Sequence, residues 1–361
     1  MTQPRIYLDH AATTPVLPEV RAAMIAGMEQ WANPSSPHGD GRAARAALEE
    51  ARRQIAGALG WDGEVILTSG ASEAITLAMM AGKTDGWIVN PTEHDAVLRL
   101  TARIPAGRSL MRLAVDLDGR LVLASLQRAL EASSGRPLVV VQSVNSETGV
   151  IQDNASITDL ARHGRAITLC DCSQSAGKMP LPDADMIVVS AHKLGGPPGI
   201  GALLVRDLGL LDPAGGQEKG YRGGTENVPA AMGFAAALTH ARYWIDRAAD
   251  LRHQLDSAIR GSGGELVAQD AARLPSIGSY RMPGVPANAQ LIQFDLAGVS
   301  VSAGSACSSG TLKTSAVLTA MGWDEKAAGE VVRVSFGPST TRAHVYRFIE
   351  LWREMAARAR R

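Results

Sequence analysis

The sequence predicts an α/β protein, a mainly parallel sheet with helices on both faces plus a smaller α+β domain. Three observations carry this. Between about residues 60 and 210, short apolar, β-branched runs alternate with helical patterns, as in βαβ units. Polar or glycine-rich turns follow several of those runs, where open α/β sheets hold their ligands. An alanine-rich helical stretch then runs into Gly261-Ser262-Gly263-Gly264, a joint before a second domain.

In chain order, helical patterns cover Pro18 to Gln30 and Gly41 to Leu59. Glu64 to Thr68 is an apolar strand that breaks at a small-residue turn and continues as a helix over Ser72 to Ala81. Strands follow at Gly86 to Asn90 and Leu138 to Val144, and a helix at Ile157 to His163. Three more strands, Ala166 to Asp171, Met186 to Ser190 and Gly201 to Val205, are continuously apolar, as strands buried on both faces must be. One helix is expected over Pro229 to Ile259; beyond it lie apolar segments at Leu291 to Leu296 and Val331 to Phe336, and a helical tail from Thr341. The large domain is expected to span 16–250, with 1–15 and 251–361 forming the small one.

Composition narrows the function. At 361 residues and 45% hydrophobic, the chain is long enough for two cores. Lys plus Arg equals Asp plus Glu at 36 each, so no net field draws it to nucleic acid or an anionic membrane. Its apolar stretches fall short of a bilayer span, and Met1-Thr2-Gln3-Pro4-Arg5 lacks a signal-peptide pattern, so a cytoplasmic location is expected. Cys170, Cys172 and Cys307 are too few and too unevenly spaced for a disulfide framework, and no Cys/His cluster completes a metal site.

The chemistry concentrates in a few segments. Ser190-Ala191-His192-Lys193 precedes Leu194-Gly195-Gly196-Pro197-Pro198-Gly199. It sets a lysine on a tight turn between two buried strands, where lost hydration lowers the amine pKa and suits imine chemistry. Thr68-Ser69-Gly70-Ala71-Ser72-Glu73 is a strand-turn-helix segment whose backbone N–H groups suit a phosphate, Ser72 adding a hydroxyl or merely capping the helix. Asp171 ends a strand and, with Gln174, would face the same crevice as Lys193; its alternative is a turn cap. His94 follows another strand end and would either stack on a planar ligand and move protons or serve structure. Cys307 is surrounded by small and polar residues that cannot pack a core, which favours an exposed, mobile, nucleophilic thiol. Cys170 and Cys172 alternate with Asp171 and are expected to pack on the opposite face. Arg333, inside the apolar run Val331 to Phe336, either pairs with an acid or awaits a carboxylate.

Together these segments resemble the cysteine desulfurases, fold-type I pyridoxal-phosphate enzymes of the class V aminotransferase group. The resemblance runs from Tyr7-Leu8-Asp9-His10-Ala11-Ala12-Thr13-Thr14-Pro15 through Asn33-Pro34-Ser35-Ser36 and Gly220-Tyr221-Arg222-Gly223-Gly224-Thr225-Glu226-Asn227 to the Arg333 strand. It implies a seven-stranded sheet and pyridoxal 5'-phosphate carried on Lys193, with Asp171 at the pyridine nitrogen, Gln174 at the phenolic oxygen and His94 over the ring. Ala71, Ser72, Ser190 and His192 would hold the phosphate, with Thr225 from the other subunit of a homodimer. Arg333, with Asn33, would hold the carboxylate of L-cysteine. Cys307 would take the sulfur as a persulfide, touch an iron-sulfur cluster at most transiently, and pass the sulfur to an acceptor or scaffold protein for cluster assembly. Ser146 stands where the family usually has an asparagine near the phenolic oxygen, and Ala191 and Pro197-Pro198 also depart from commoner lysine turns. The competing expectations are another class V enzyme, an aminotransferase or selenocysteine lyase, and a non-catalytic protein that keeps the fold.

Overall fold

The computed structural model describes residues 5–239, 243–306 and 312–360. The chain opens with strand β1 (Ile6–Tyr7) and helices α1 (Pro18–Glu29) and α2 (Gly39–Leu59). It then alternates: β2 (Glu64–Thr68), α3 (Ala71–Ala81), β3 (Gly86–Val89), α4 (Asp95–Thr101), β4 (Ser109–Arg112), α5 (Leu123–Ala132), β5 (Pro137–Val140), α6 (Asn154–His163) and β6 (Ile167–Asp171). Strands β7 (Met186–Ser190) and β8 (Gly201–Val205) flank the lysine turn, and α7 (Val228–Thr239) and α8 (Ile245–Gly261) follow. The remainder comprises β9 (Glu265–Leu266), β10 (Ile277–Arg281), α9 (Ala287–Leu296), β11 (Val299–Ser300), β12 (Ser305–Ala306), β13 (Leu312–Lys313), α10 (Ala316–Ala320), α11 (Glu325–Ala328), β14 (Val331–Ser335) and α12 (Arg342–Ala359).

The central sheet has seven strands in the order β2-β8-β7-β6-β5-β3-β4, as expected. The five from β7 to β4 run parallel, and only β8 opposes its neighbours. The expected apolar runs are two-sided strands. Ile187 and Val189 of β7 join a core with α1, α2 and α7, whereas Met186 and Val188 face α3 and α4. Burial on both sides removes the need for polar alternation.

Some elements differ from expectation. The stretch read as one helix over Pro229 to Ile259 is two, because α7 packs on the central sheet while α8 shares a second core with α12, Leu8 and β14. Leu291 to Leu296 is the second half of α9. β5 stops at Val140, although Val141 and Ser143 still donate backbone hydrogen bonds to Leu169 and Asp171. The second sheet, β14-β10-β9, is antiparallel.

One buried ion pair anchors the segment that carries Thr225. Arg52 of α2 donates to Glu218 at 2.7 and 3.1 Å, and Glu218 also accepts the Leu67 N–H at 2.8 Å. Both residues are under 10% exposed, and Glu218 holds a left-handed φ of 48°. Removing one partner of such a pair leaves a buried charge alone, so Glu218→Ala is expected to destabilise the protein by about 3–5 kcal/mol in urea unfolding. A loss below about 1 kcal/mol would show that water repairs the gap.

Candidate active site

The parallel order brings the carboxyl ends of β2, β3, β6 and β7 to one edge, which carries Ser72, His94, Asp171, Gln174, Ser190 and Lys193. After β7 the chain makes one 3₁₀ turn, Ala191–Leu194, closed by Gly195 in the left-handed region at φ 80°. A side chain at Gly195 would also strike Leu17, so the position is fixed as glycine twice over. Burial pushes the Lys193 amine below the usual lysine value, and the Arg333 cation adds to this while Asp171 opposes it. Pro198 is exposed.

Asp171 is buried at the end of β6, where Oδ1 accepts the Ser173 N–H at 2.8 Å. Its strand neighbours Ile167 and Leu169 pack toward α3 and α4, and so fix its face by alternation. Cys170 and Cys172 lie on the other face as expected, buried and free, with their sulfurs 3.8 Å apart. Gln174 donates through Nε2 to the Ala11 carbonyl at 2.9 Å, leaving buried Oε1 without a partner among the described residues.

His94 caps α4, its Nδ1 accepting the Ala96 N–H at 3.1 Å. That bond places the neutral ring's proton on Nε2. Desolvation and the Lys193 ammonium lower its pKa, while Asp171 opposes them, so the three groups share one field. Beside it Glu93 is fully buried, and burial holds its carboxyl well above the usual range even though it accepts the Gln142 N–H at 2.6 Å.

The small-residue turn folds as expected. Gly70 caps α3 with no side-chain bond, which leaves the first-turn N–H groups of Ala71 and Ser72 for an anion. Ser190 is buried at the end of β7, and His192 is tied to Thr13 Oγ1 at 3.1 Å. Exposed Thr225 lines a cavity of about 230 Å³ with Thr68, Ser69 and Gly199.

Arg333 pairs with an acid, one of the two expected alternatives. Nη2 donates to Asp9 Oδ1 at 2.7 Å and Nη1 to the Ser146 carbonyl at 3.0 Å, while buried Nε has no partner among the described residues. Ser146 thus enters through its carbonyl. Asn33 is exposed between α1 and α2, its Oδ1 accepting the Ser35 N–H at 2.9 Å, and makes no hydrogen bond to Arg333 among the described residues. Cys307 lies outside the described residues.

Residues 5–15 are a strap that the motif reading left without roles. The Thr14 N–H donates to the His192 carbonyl at 2.8 Å, Ala11 accepts from Gln174, and the Ala11 N–H reaches Ser335 Oγ at 2.8 Å. The strap joins the lysine turn to the Arg333 strand. His10 on it is 3% exposed, and a side chain at Gly337 would collide with its ring. Burial, then the nearby Lys178, lowers its pKa to about 4; Lys178 itself is lowered to about 7 by burial and by Lys193. Unfolded, His10 takes a proton near pH 6.5; folded, it resists until about 4, so its contribution is present above 6.5 and lost as the pH falls. Wild type is expected to lose about 2 kcal/mol through this group between pH 7.5 and 5. Urea midpoints for His10→Asn should be flatter over that range; an equal acid slope would remove His10 as the cause.

The residues at this edge fit pyridoxal phosphate. A depressed lysine amine, a buried carboxylate, an uncapped helix N-terminus and the orphaned polar atoms of Gln174, Ser173 and Ser175 suit its amine-reactive carbon, ring nitrogen, phosphate and oxygen. The arrangement is that of a fold-type I pyridoxal-phosphate protein. The family model for class V aminotransferases matches residues 6–348. A cysteine desulfurase of Rhodobacter capsulatus is 37% identical, covering 100% of this chain and 98% of its own. Among solved structures, a NifS-like protein from Rickettsia africae superposes with a TM-score of 0.90 at 31% identity, over 98% of this chain and 99% of that one. SspA in complex with cysteine superposes at 0.80 and 29% identity, over 93% and 100%. The chain therefore belongs to the class V aminotransferase family and, within it, to the cysteine desulfurases, pyridoxal-phosphate enzymes. No described helix is long and apolar enough to cross a membrane, and the described residues form no metal-ligating cluster.

Proposed function

We propose that the protein removes sulfur from L-cysteine, holds it on Cys307 as a persulfide and passes it to an acceptor for iron-sulfur cluster assembly. The observation that carries this reading is the convergence of Lys193, Asp171 and His94 at the carboxyl edge of the central sheet, with Arg333 of β14 near enough for its charge to act on Lys193, in a chain with desulfurase relatives. Pyridoxal phosphate, when bound, supplies an electron sink conjugated to the substrate's α-carbon.

This chain's residues do the rest. Asp171 would hold a proton at the ring nitrogen and Gln174 would meet the phenolic oxygen; the Ser146 side chain would add to that contact, while its carbonyl anchors Arg333. Ala71, Ser72, Ser190 and His192 hold the phosphate, with Thr225 contributed across a homodimer. Arg333 takes the substrate carboxylate and Asn33 flanks it, while His94 covers the ring and, with Lys193, moves protons at the α- and β-carbons. The Cys307 thiolate attacks the substrate sulfur: an S–S bond forms, the C–S bond breaks and its electron pair stays on the β-carbon. Proton uptake there gives alanine, so a thiol and cysteine become a persulfide and alanine. A thiol or scaffold protein then accepts the sulfane sulfur; a cluster would meet the persulfide only in passing.

Equal numbers of basic and acidic residues support a protein with no electrostatic pull toward nucleic acid, and we place it in the cytoplasm. The test is product analysis with L-cysteine and a thiol reductant: sulfide and alanine in equal amounts are expected. A keto acid without sulfide would identify an aminotransferase, turnover of selenocysteine alone a lyase, and no turnover of a cofactor-loaded protein a non-catalytic relative.

A further inference from the structure

We propose that Asp9 is a positioning residue that sets the Arg333 guanidinium for the substrate carboxylate. This rests on the reading of Arg333 as the carboxylate site. Asp9 sits on the strap beside Ser335, and its Oδ1 lies 2.7 Å from Arg333 Nη2. Its backbone is fixed on both sides: the Leu8 N–H donates to the Ser300 carbonyl at 2.9 Å, the Ser335 N–H to the Leu8 carbonyl at 2.8 Å, and the Tyr7 hydroxyl to the Asp9 carbonyl at 3.0 Å. Arg333 is 8% exposed, so its charge needs an acid whether or not substrate is present.

A packing ion pair would use up the guanidinium, and this one does not. Each terminal nitrogen has one anchor, Asp9 and the Ser146 carbonyl, while the buried Nε–H is left unpaired among the described residues. Anchored in this way, the cation loses little freedom when a carboxylate arrives. The competing acid is Glu147, which feels the Arg333 charge and already accepts from Ser315 Oγ. Without Asp9 the guanidinium turns toward Glu147 and away from the Lys193 field.

The test uses cofactor-loaded protein and spectral titration with two amines: L-alanine, which has the carboxylate, and cysteamine, which lacks it. Asp9→Ala is expected to weaken L-alanine on the order of ten- to a hundredfold and to leave cysteamine within about twofold, with the kinetic loss on L-cysteine falling on KM more than kcat. Asp9→Asn keeps an acceptor for Nη2 and should recover much of the affinity; should Asp9→Ala fail to fold, its smaller, alanine-specific loss carries the test. Equal weakening of both amines, or unchanged L-alanine binding, overturns the proposal. Arg333→Met run alongside separates the two layers. If it binds L-alanine like wild type, the Arg333 assignment fails and Asp9 has nothing to position; if it alone weakens L-alanine, only the Asp9 proposal fails.

Discussion

Cys307→Ala is expected to abolish sulfide release from L-cysteine, by on the order of 10³-fold or more, while the cofactor's visible absorbance and L-alanine binding survive. The size follows from the sulfur balance. Without a thiol to form the S–S bond, the substrate's C–S bond has no sulfur acceptor, so the step is blocked and not merely slowed. The chain has only two other cysteines, and neither can replace it. Cys170 and Cys172 are buried in the core on the far side of β6 from Asp171, and the Cys172 contact, then burial, pushes the Cys170 thiol well above its ordinary range. Sulfide and alanine yields measured over single and multiple turnovers check this. Retained sulfide release would take Cys307 out of the reaction and turn the assignment toward a lyase that needs no thiol.

How much of this was legible beforehand depended on the range of each interaction. The inner strands were readable because two-sided burial writes continuous apolar runs such as Met186–Ser190. Edge strand β4 was not, since Ser109–Arg112 has exposed ends and a mixed composition. Asp171, His94 and Lys193 were visible because each lies at or within a few residues beyond the carboxyl end of an apolar strand, and a parallel sheet brings such positions together. The alanine-rich run over α7 and α8 hid a break, because alanine suits a helix on either core. The Arg333 sequence context left its partner open, and Asp9 lies 324 residues away, where no local pattern reaches. His10 and Asp9 stand within the Tyr7–Pro15 motif, but their roles needed the strap's closure between two sheets.

Lys193→Ala is expected to remove turnover and covalent cofactor retention together. The amine is asked both to carry the cofactor and to move a proton at the substrate's α-carbon, and proton transfer alone is worth about 10²–10⁴-fold. Its turn has no substitute: Lys178 is the neighbouring amine that shares its field, but it issues from the segment after β6 and not from the lysine turn. Lys193→Arg should be as inactive as the alanine variant although it keeps the charge, because a guanidinium is not a nucleophile at working pH. That comparison separates electrostatics from chemistry. In Lys193→Ala the cofactor should wash out on desalting, and a small primary amine should restore part of the proton-transfer rate. For the cofactor-free protein, covalent uptake of pyridoxal phosphate should speed up with pH as the amine loses its proton, at an apparent pKa below 10.5, since burial and Arg333 lower it against the pull of Asp171. Lys193→Ala that kept its absorbance through desalting, or turned over at the wild-type rate, would move the cofactor's attachment to another amine and reopen the assignment of the whole sheet edge.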